Sequence, residues 1–267
     1  MLKKRIIFTL LYCDGFFVQS RNFDIQRVGD LNWLIKQYGI DNISYFIDEL
    51  IIIDISKKKK NKKKFISTLK KISKFFFIPI TIGGGIKSFS DASLLLHNGA
   101  DKILMNFPFN KKYKVVKQIS SVFGAQSIVA AVDIKKNSNN MYAIFVNNGN
   151  EEIKKKPKQY FNEVSQLLYG ELLINSIDQD GTGNGPDLKI LKLIPKKFNK
   201  PIILSGGYGN EFHFEQALLN KKIEAVATAN LFNFVGDGFK LARESLLKKK
   251  FNLVKWDPKT LKSLAKK

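Results

Sequence analysis

Carboxylates close several of the apolar runs in this 267-residue chain. Asp133 ends "AAVDIKK", Asp54 ends "IIIDIS", and "SIDQDGTGNG" places Asp178 and Asp180 at the close of a third run. A carboxylate on an otherwise apolar strand costs desolvation energy, which points to a use for its charge or its proton. Asp133 is the leading candidate for general acid–base work. Asp178 and Asp180 join it as catalytic candidates, with a turn as the alternative, because Asp-Gly is also a turn dipeptide.

Two glycine pairs form a second group: Gly84–Gly85 in "GGGI" and Gly206–Gly207 in "SGG". Each follows an apolar run and precedes a helix-period segment. Glycine lets backbone N–H groups approach an anion, and the next helix offers its positive end. Asn106 and Asn230 end the following runs, where each could donate to the same group. Two such places imply two phosphate sites and a phosphorylated small molecule, although a tight strand-to-helix turn also calls for glycine. Charges stand at the beginnings of other runs: Arg5, Glu49, Lys102 and Glu171. Two acids and two bases could close an ion-pair ring, whether for function or as a structural plug. His97 and His213 fall in helical segments, and no metal spacing appears, so neither a metal nor a cofactor is expected.

The elements that must carry these residues recur along the chain. Eight β-branched apolar runs ("RIIFTLLY", "ELIIIDI", "IPITI", "DKILMN", "SIVAAVDI", "ELLINSI", "KPIILS" and "IEAVATA") alternate for the most part with amphipathic helical segments. Near-continuous apolar strands of this kind are buried on both faces in a parallel sheet. Eight units predict a (β/α)8 TIM barrel, with an open doubly wound sheet as the alternative. An internal repeat favours the barrel. Glu49 and Glu171 are 122 residues apart, and so are Gly84 and Gly206. Two landmarks with one offset describe two half-barrels split near residue 125. No Pro/Gly/Ser linker interrupts them, so one domain spans 1–267. Residues 137–158 read as an inserted hairpin around "NNGN". The lysine run 57–64 follows the second strand and reads as a solvated loop or a cationic lid over the mouth.

Net charge is +22, from 45 Lys+Arg against 23 Asp+Glu, and 44% of residues are hydrophobic. The excess is mostly lysine in a chain also rich in Ile, Asn and Phe. It suits anionic small molecules rather than nucleic acid. The single cysteine, Cys13, excludes an internal disulfide and fits a reducing cytoplasm. The opening "MLKKRIIFTLLYC" imitates a signal peptide, but its apolar run is short and an Asp-Gly turn follows. No apolar run approaches the ~18 residues that would cross a membrane.

"KRII", "DELIIID", "IPITIGGGI", "GADKILMN", "VDIKK", "SIDQDGT" and "SGG" together resemble the HisF family, the cyclase subunits of imidazole glycerol phosphate synthase, over nearly the whole chain. The resemblance implies a barrel that takes ammonia from a HisH-like glutaminase docked on its bottom face. It implies phosphate grips at Gly84, Gly85 and Asn106 and at Gly206, Gly207 and Asn230. It also implies an ammonia gate of Arg5, Glu49, Lys102 and Glu171, with Asp101 facing the glutaminase. Two departures bear on the substrate. The family's cyclases carry one acid–base aspartate at the end of strand 1 and another at the end of strand 5. The second is Asp133 here, but the repeat mate of Asp133 is Leu11. A family lysine after strand 1 is replaced by Gln19. The chain is therefore most similar to the WbuZ-type surface-sugar relatives with an "LL" strand end. These work with a glutaminase and an ATP-dependent N-acetyl sugar amidotransferase to turn an acetamido group into an acetamidino group. The alternatives are a true histidine-pathway cyclase and a non-catalytic scaffold.

Overall fold

The computed structural model describes residues 3–38, 43–56, 61–106, 113–229, 238–255 and 257. β1 (Arg5–Cys13) continues into an antiparallel ribbon, β2 (Phe16–Arg21) and β3 (Asp24–Gly29), before α1 (Leu31–Tyr38). Next come β4 (Glu49–Asp54), α2 (Lys62–Ile72), β5 (Ile80–Gly83), α3 (Phe89–Leu96), β6 (Lys102–Asn106) and α4 (Tyr113–Phe123). The second half opens with β7 (Ile128–Lys136) and its own ribbon, β8 (Tyr142–Val146) and β9 (Glu151–Ile153). It continues through α5 (Pro157–Ser165), β10 (Glu171–Ser176), β11 (Ile202–Ser205), α6 (Glu211–Leu218), β12 (Ile223–Thr228) and α7 (Gly238–Lys248).

Eight of these strands pair in parallel in the order β10, β11, β12, β1, β4, β5, β6, β7, and β7 pairs back to β10. The closure makes the (β/α)8 barrel and sets aside the open sheet. Side chains alternate across each strand. One set, with Ile7, Ile51, Leu104, Val129, Leu173 and Ile203, fills the lumen. The other packs against the helices in the larger core. In α2, for example, Phe65, Leu69 and Ile72 are buried while the lysines face water, and Asn61 caps the first turn by accepting from Lys64 N–H at 3.0 Å.

The repeat is present in the hydrogen-bond register. Ile7 lies beside Glu49 and Val129 beside Glu171; Leu50 lies beside Ile80 and Leu172 beside Ile202. Each half begins with a long strand that runs on into an antiparallel ribbon. The second ribbon holds the expected hairpin, with Asn147–Asn150 as its turn. The first is a finding of the structure, since none of the eight apolar runs read as strands covers residues 16–29. The repeat also breaks. Between β10 and β11 the described chain forms 3₁₀ turns at Ile177–Gln179 and Leu188–Leu193 in place of an α-helix. Gly181, Gly183 and Gly185 have positive φ there, and Pro186 and Pro195 bracket the second turn, so a longer helix cannot propagate.

Below the barrel, Arg243 of α7 forms a bidentate, buried pair with Asp48 at 2.8 and 3.0 Å and also donates to the carbonyl of Val254. This ties the last helix to the start of β4. Among the described residues no helix is long and apolar enough to cross a membrane.

Candidate functional site

At the bottom mouth, inward side chains at the starts of β1, β4, β6 and β10 bring Arg5, Glu49, Lys102 and Glu171 together. Arg5 meets Glu49 at 3.0 Å and Glu171 at 2.7 Å; Lys102 meets the same two acids at 2.9 and 3.2 Å. The four charges alternate in a closed ring. Thr81 also donates to Glu49 at 2.5 Å. Burial opposes charge on Arg5 and Glu171, but the ring outweighs it: Arg5 is pushed up by Glu171 and Glu49, and Glu171 is pulled down by Arg5 and Lys102. Asp101 stands at the same end, exposed, accepting from Ile80 N–H at 2.8 Å. Above the ring the lumen is narrowed by Ile51, Leu104 and Leu173.

At the top mouth, Asp133 is buried between two amides. Asn175 on β10 donates to its Oδ1 at 3.3 Å, and Asn106 on β6 donates to its Oδ2. Burial raises the carboxyl, the two amides oppose that, and the charge of Asp180 adds to it, leaving a pKa of about 7. Such a group can give or take a proton near neutrality. Asn106, expected at a phosphate, is thus engaged with Asp133. Asn175 escaped the sequence reading. Its signal was available, since it is the 122-residue mate of Ile53 and therefore polar where its mate is apolar.

Leu11 occupies the level of Asp133 on the opposite wall. It pairs with Val18 of β2, so this side of the mouth is apolar. Gln19 sits within β2, on the side of Phe17, whose ring meets Tyr12 edge-on, and away from Val18. It is buried, and its Nε2 has no partner among the described residues.

The other acids have structural partners. Asp54 faces away from the lumen and accepts from Ser56 N–H at 3.0 Å and Ser56 Oγ–H at 2.6 Å. Asp178 accepts from Lys136 N–H at 2.8 Å. Asp180 accepts from Phe23 N–H at 3.2 Å, and its carbonyl accepts from Asn22 N–H at 2.9 Å. Burial pushes its carboxyl up against hydrogen bonds from Ser20 and Phe23. The Asn22 amide also bonds the carbonyls of Ile177 and Asp178 at 3.0 and 2.9 Å. The turn joining β2 and β3 is therefore latched across the mouth onto the segment after β10.

Both glycine pairs have left-handed backbones: φ is +105° and +70° at Gly84 and Gly85, and +102° and +93° at Gly206 and Gly207. A Cβ at Gly84 would lie 2.1 Å from the carbonyl of Asp54, and one at Gly207 2.1 Å from that of Gly185. The turns thus require glycine for packing as well as for any ligand. A pocket beside Gly206 and Gly207 is lined also by Ser205, Thr228 and the Asp180 side. Its counterpart at Gly84 and Gly85 lies towards Lys62, which pairs with Asp91. Asn230 and lysines 57–60 lie outside the described residues. His213 accepts from Gly209 N–H at 3.0 Å, and His97 bonds within its own helix. Among the described residues no group of acids, histidines and cysteine could hold a metal ion.

A closed barrel with an ion ring at one mouth and a buried carboxyl between glycine turns at the other is an arrangement that can take a small molecule at its top mouth. The family model for histidine biosynthesis proteins matches residues 8–236. A relative from Parasynechococcus marenigrum, provisionally named imidazole glycerol phosphate synthase subunit hisF2, is 46% identical over 96% of this chain and 95% of its own length. The imidazole glycerol phosphate synthase subunits HisF of Alkaliphilus metalliredigens and Prosthecochloris aestuarii are 34% and 35% identical, each over 88% of this chain and 92% of their own lengths. The chain belongs to the histidine biosynthesis protein family, among its HisF-like members.

Proposed function

We propose that this barrel is the synthase subunit of a glutamine amidotransferase system that delivers ammonia for acetamidino modification of a nucleotide-linked surface sugar. The observation that carries the reading is the contrast along β1: Arg5 completes the ion ring at the bottom, while Leu11 stands where the acid–base partner of Asp133 would be. A HisH-like glutaminase supplies ammonia at the bottom face, on the side of Asp101. An ATP-dependent N-acetyl sugar amidotransferase activates the acetamido oxygen. Ammonia then adds at that carbon, and the oxygen leaves with the phosphoryl or adenylyl group. The glycine turns at 84–85 and 206–207 hold a phosphorylated ligand at the mouth.

The reading is tested by reconstituting the three proteins with glutamine labelled at its amide nitrogen, ATP and a nucleotide-linked N-acetyl sugar. Label should enter the sugar only when this barrel is present. Equal labelling without it would sink the proposal. A second reading, a true imidazole glycerol phosphate cyclase, is favoured by Asp133, whose pKa of about 7 suits proton transfer.

A further inference from the structure

We infer that the lumen beneath Asp133 is a holding chamber for one ammonia molecule, docked on the hydroxyl of Thr9. This inference rests on the ammonia-delivering reading above and names the residue on which it turns. Thr9 lies on β1 between Ile7, which faces the lumen, and Leu11, so its side chain points inward. It is only 6% exposed, and its Oγ1 has no hydrogen-bond partner among the described residues. A buried hydroxyl left alone costs about 1–3 kcal/mol, which a small polar guest would relieve.

The level around Thr9 is built from small residues. In an eight-stranded barrel with a one-residue stagger per strand, four inward side chains from alternate strands share a height. The observed registers put Thr9, Gly83, Ala131 and Ser205 together. Ala131 is the 122-residue mate of Thr9. The layer below is bulkier, with Ile51, Leu104 and Leu173. Above stand Asn106 and Asn175, which hold Asp133.

The lining is neutral, with an apolar floor. An ammonium ion has no anionic partner at this height, whereas ammonia can accept from the Thr9 hydroxyl or donate to it. The chamber lies between the ion ring and Asp133, where ammonia leaving the ring would next find a polar partner. The proton therefore has to be lost at or before the ring, and the nitrogen waits as the free base.

The test has two readouts. In a high-resolution crystal structure of the full chain soaked in ammonium chloride at alkaline pH, a density peak should lie within about 2.7–3.2 Å of Thr9 Oγ1; water and ammonia give the same peak, so it establishes the guest site and the leak assay below assigns the guest. It should be absent from Thr9→Val, which keeps the shape and removes the hydroxyl. An empty lumen in a map that resolves other buried waters would overturn the inference. In the complex with a HisH-like glutaminase, the fraction of glutamine nitrogen leaking into bulk solvent should rise several-fold in Thr9→Val and stay near wild type in Thr9→Ser. The melting temperatures of both variants check that the barrel is folded. Lys102→Ala is the internal control. If it leaks while Thr9→Val stays tight, the chamber fails and ammonia conduction survives. If neither leaks, ammonia conduction fails and the chamber with it.

Discussion

At the top of β7 a buried carboxyl with a pKa near 7 is gripped by two asparagine amides; at the same level of β1, Leu11 packs beside Val18. The backbones of the two strands are near copies. Each pairs in the same register with the next strand of its half, and each runs on into an antiparallel ribbon. Backbone architecture has thus been kept in duplicate while the buried acid sits on one copy. The bottom ring departs from the repeat in its own way. Its two acids are mates, whereas both cations come from the first half, and the mate of Arg5 is Ser127. The barrel reads as a symmetric scaffold with a one-sided site at each mouth.

The largest expected effect comes from removing the acid. Asp133→Asn abolishes a carboxyl whose pKa is raised on folding. The folded state holds that proton up to pH about 7 while the unfolded state loses it near 4, so wild-type stability falls as pH rises between those values. Above pH 7 the buried charge costs up to about 4 kcal/mol. Asp133→Asn should flatten this slope and gain stability at pH 8, as measured by urea unfolding across the pH range. An unchanged slope would mean that Asp133 ionises as freely as an exposed acid.

Making the halves alike in the other direction is the second test. Leu11→Asp supplies the missing partner and should raise ammonia-dependent cyclisation of the histidine-pathway phosphoribulosyl substrate about 10²-fold over the wild-type background. A variant as inert as wild type would move the loss elsewhere, first to Gln19. A smaller change follows from Asn175→Ile, which copies the residue of the mate strand. With one donor gone, the titration midpoint of Asp133 should rise by about one unit, worth about 1.4 kcal/mol, as read by carbon NMR of the carboxyl. A fixed midpoint would leave Asn106 as the only amide that matters.

The smallest effect separates the two ribbons. The turn of the first is latched onto the segment after β10 by Asn22, whereas in the turn of the second Asn150 donates to the carbonyl of Asn147 and Asn147 to Glu151 at the start of β9, so its bonds stay within its own ribbon. Asn22→Ala should speed amide exchange in β2 and β3 by about tenfold, roughly 1.4 kcal/mol of local opening, with β8 and β9 unaffected. Equal exchange in Asn22→Ala and wild type would show that the latch is incidental.

Much of this was legible in the sequence because burial on both faces writes an apolar run into every barrel strand. The offset shared by Glu49 and Glu171 and by Gly84 and Gly206 carried the half-barrel plan. The four ring charges stood out because each begins such a run. The first ribbon was hidden, since "FDIQRVG" is polar and mostly exposed in β3, and an edge strand needs no apolar face to be read. Asn106 was recognised as a polar strand end, but not as a partner of Asp133. Sequence spacing alone does not say which neighbouring strand an amide leans towards. Asp54 looked equivalent to Asp133 in type and context. Only the alternation of β4, with Glu49 and Ile53 facing inward, turns it away from the mouth.

The most direct test of the central claim, that ammonia delivery is kept and cyclisation lost, uses the purified wild-type chain alone. It is incubated with ammonium chloride at alkaline pH and the phosphoribulosyl substrate of the histidine pathway, and the cyclised product is followed by mass spectrometry. No product above the protein-free control is predicted. Steady turnover at a rate typical of enzymes, 1 s⁻¹ or faster in order of magnitude, would contradict the account.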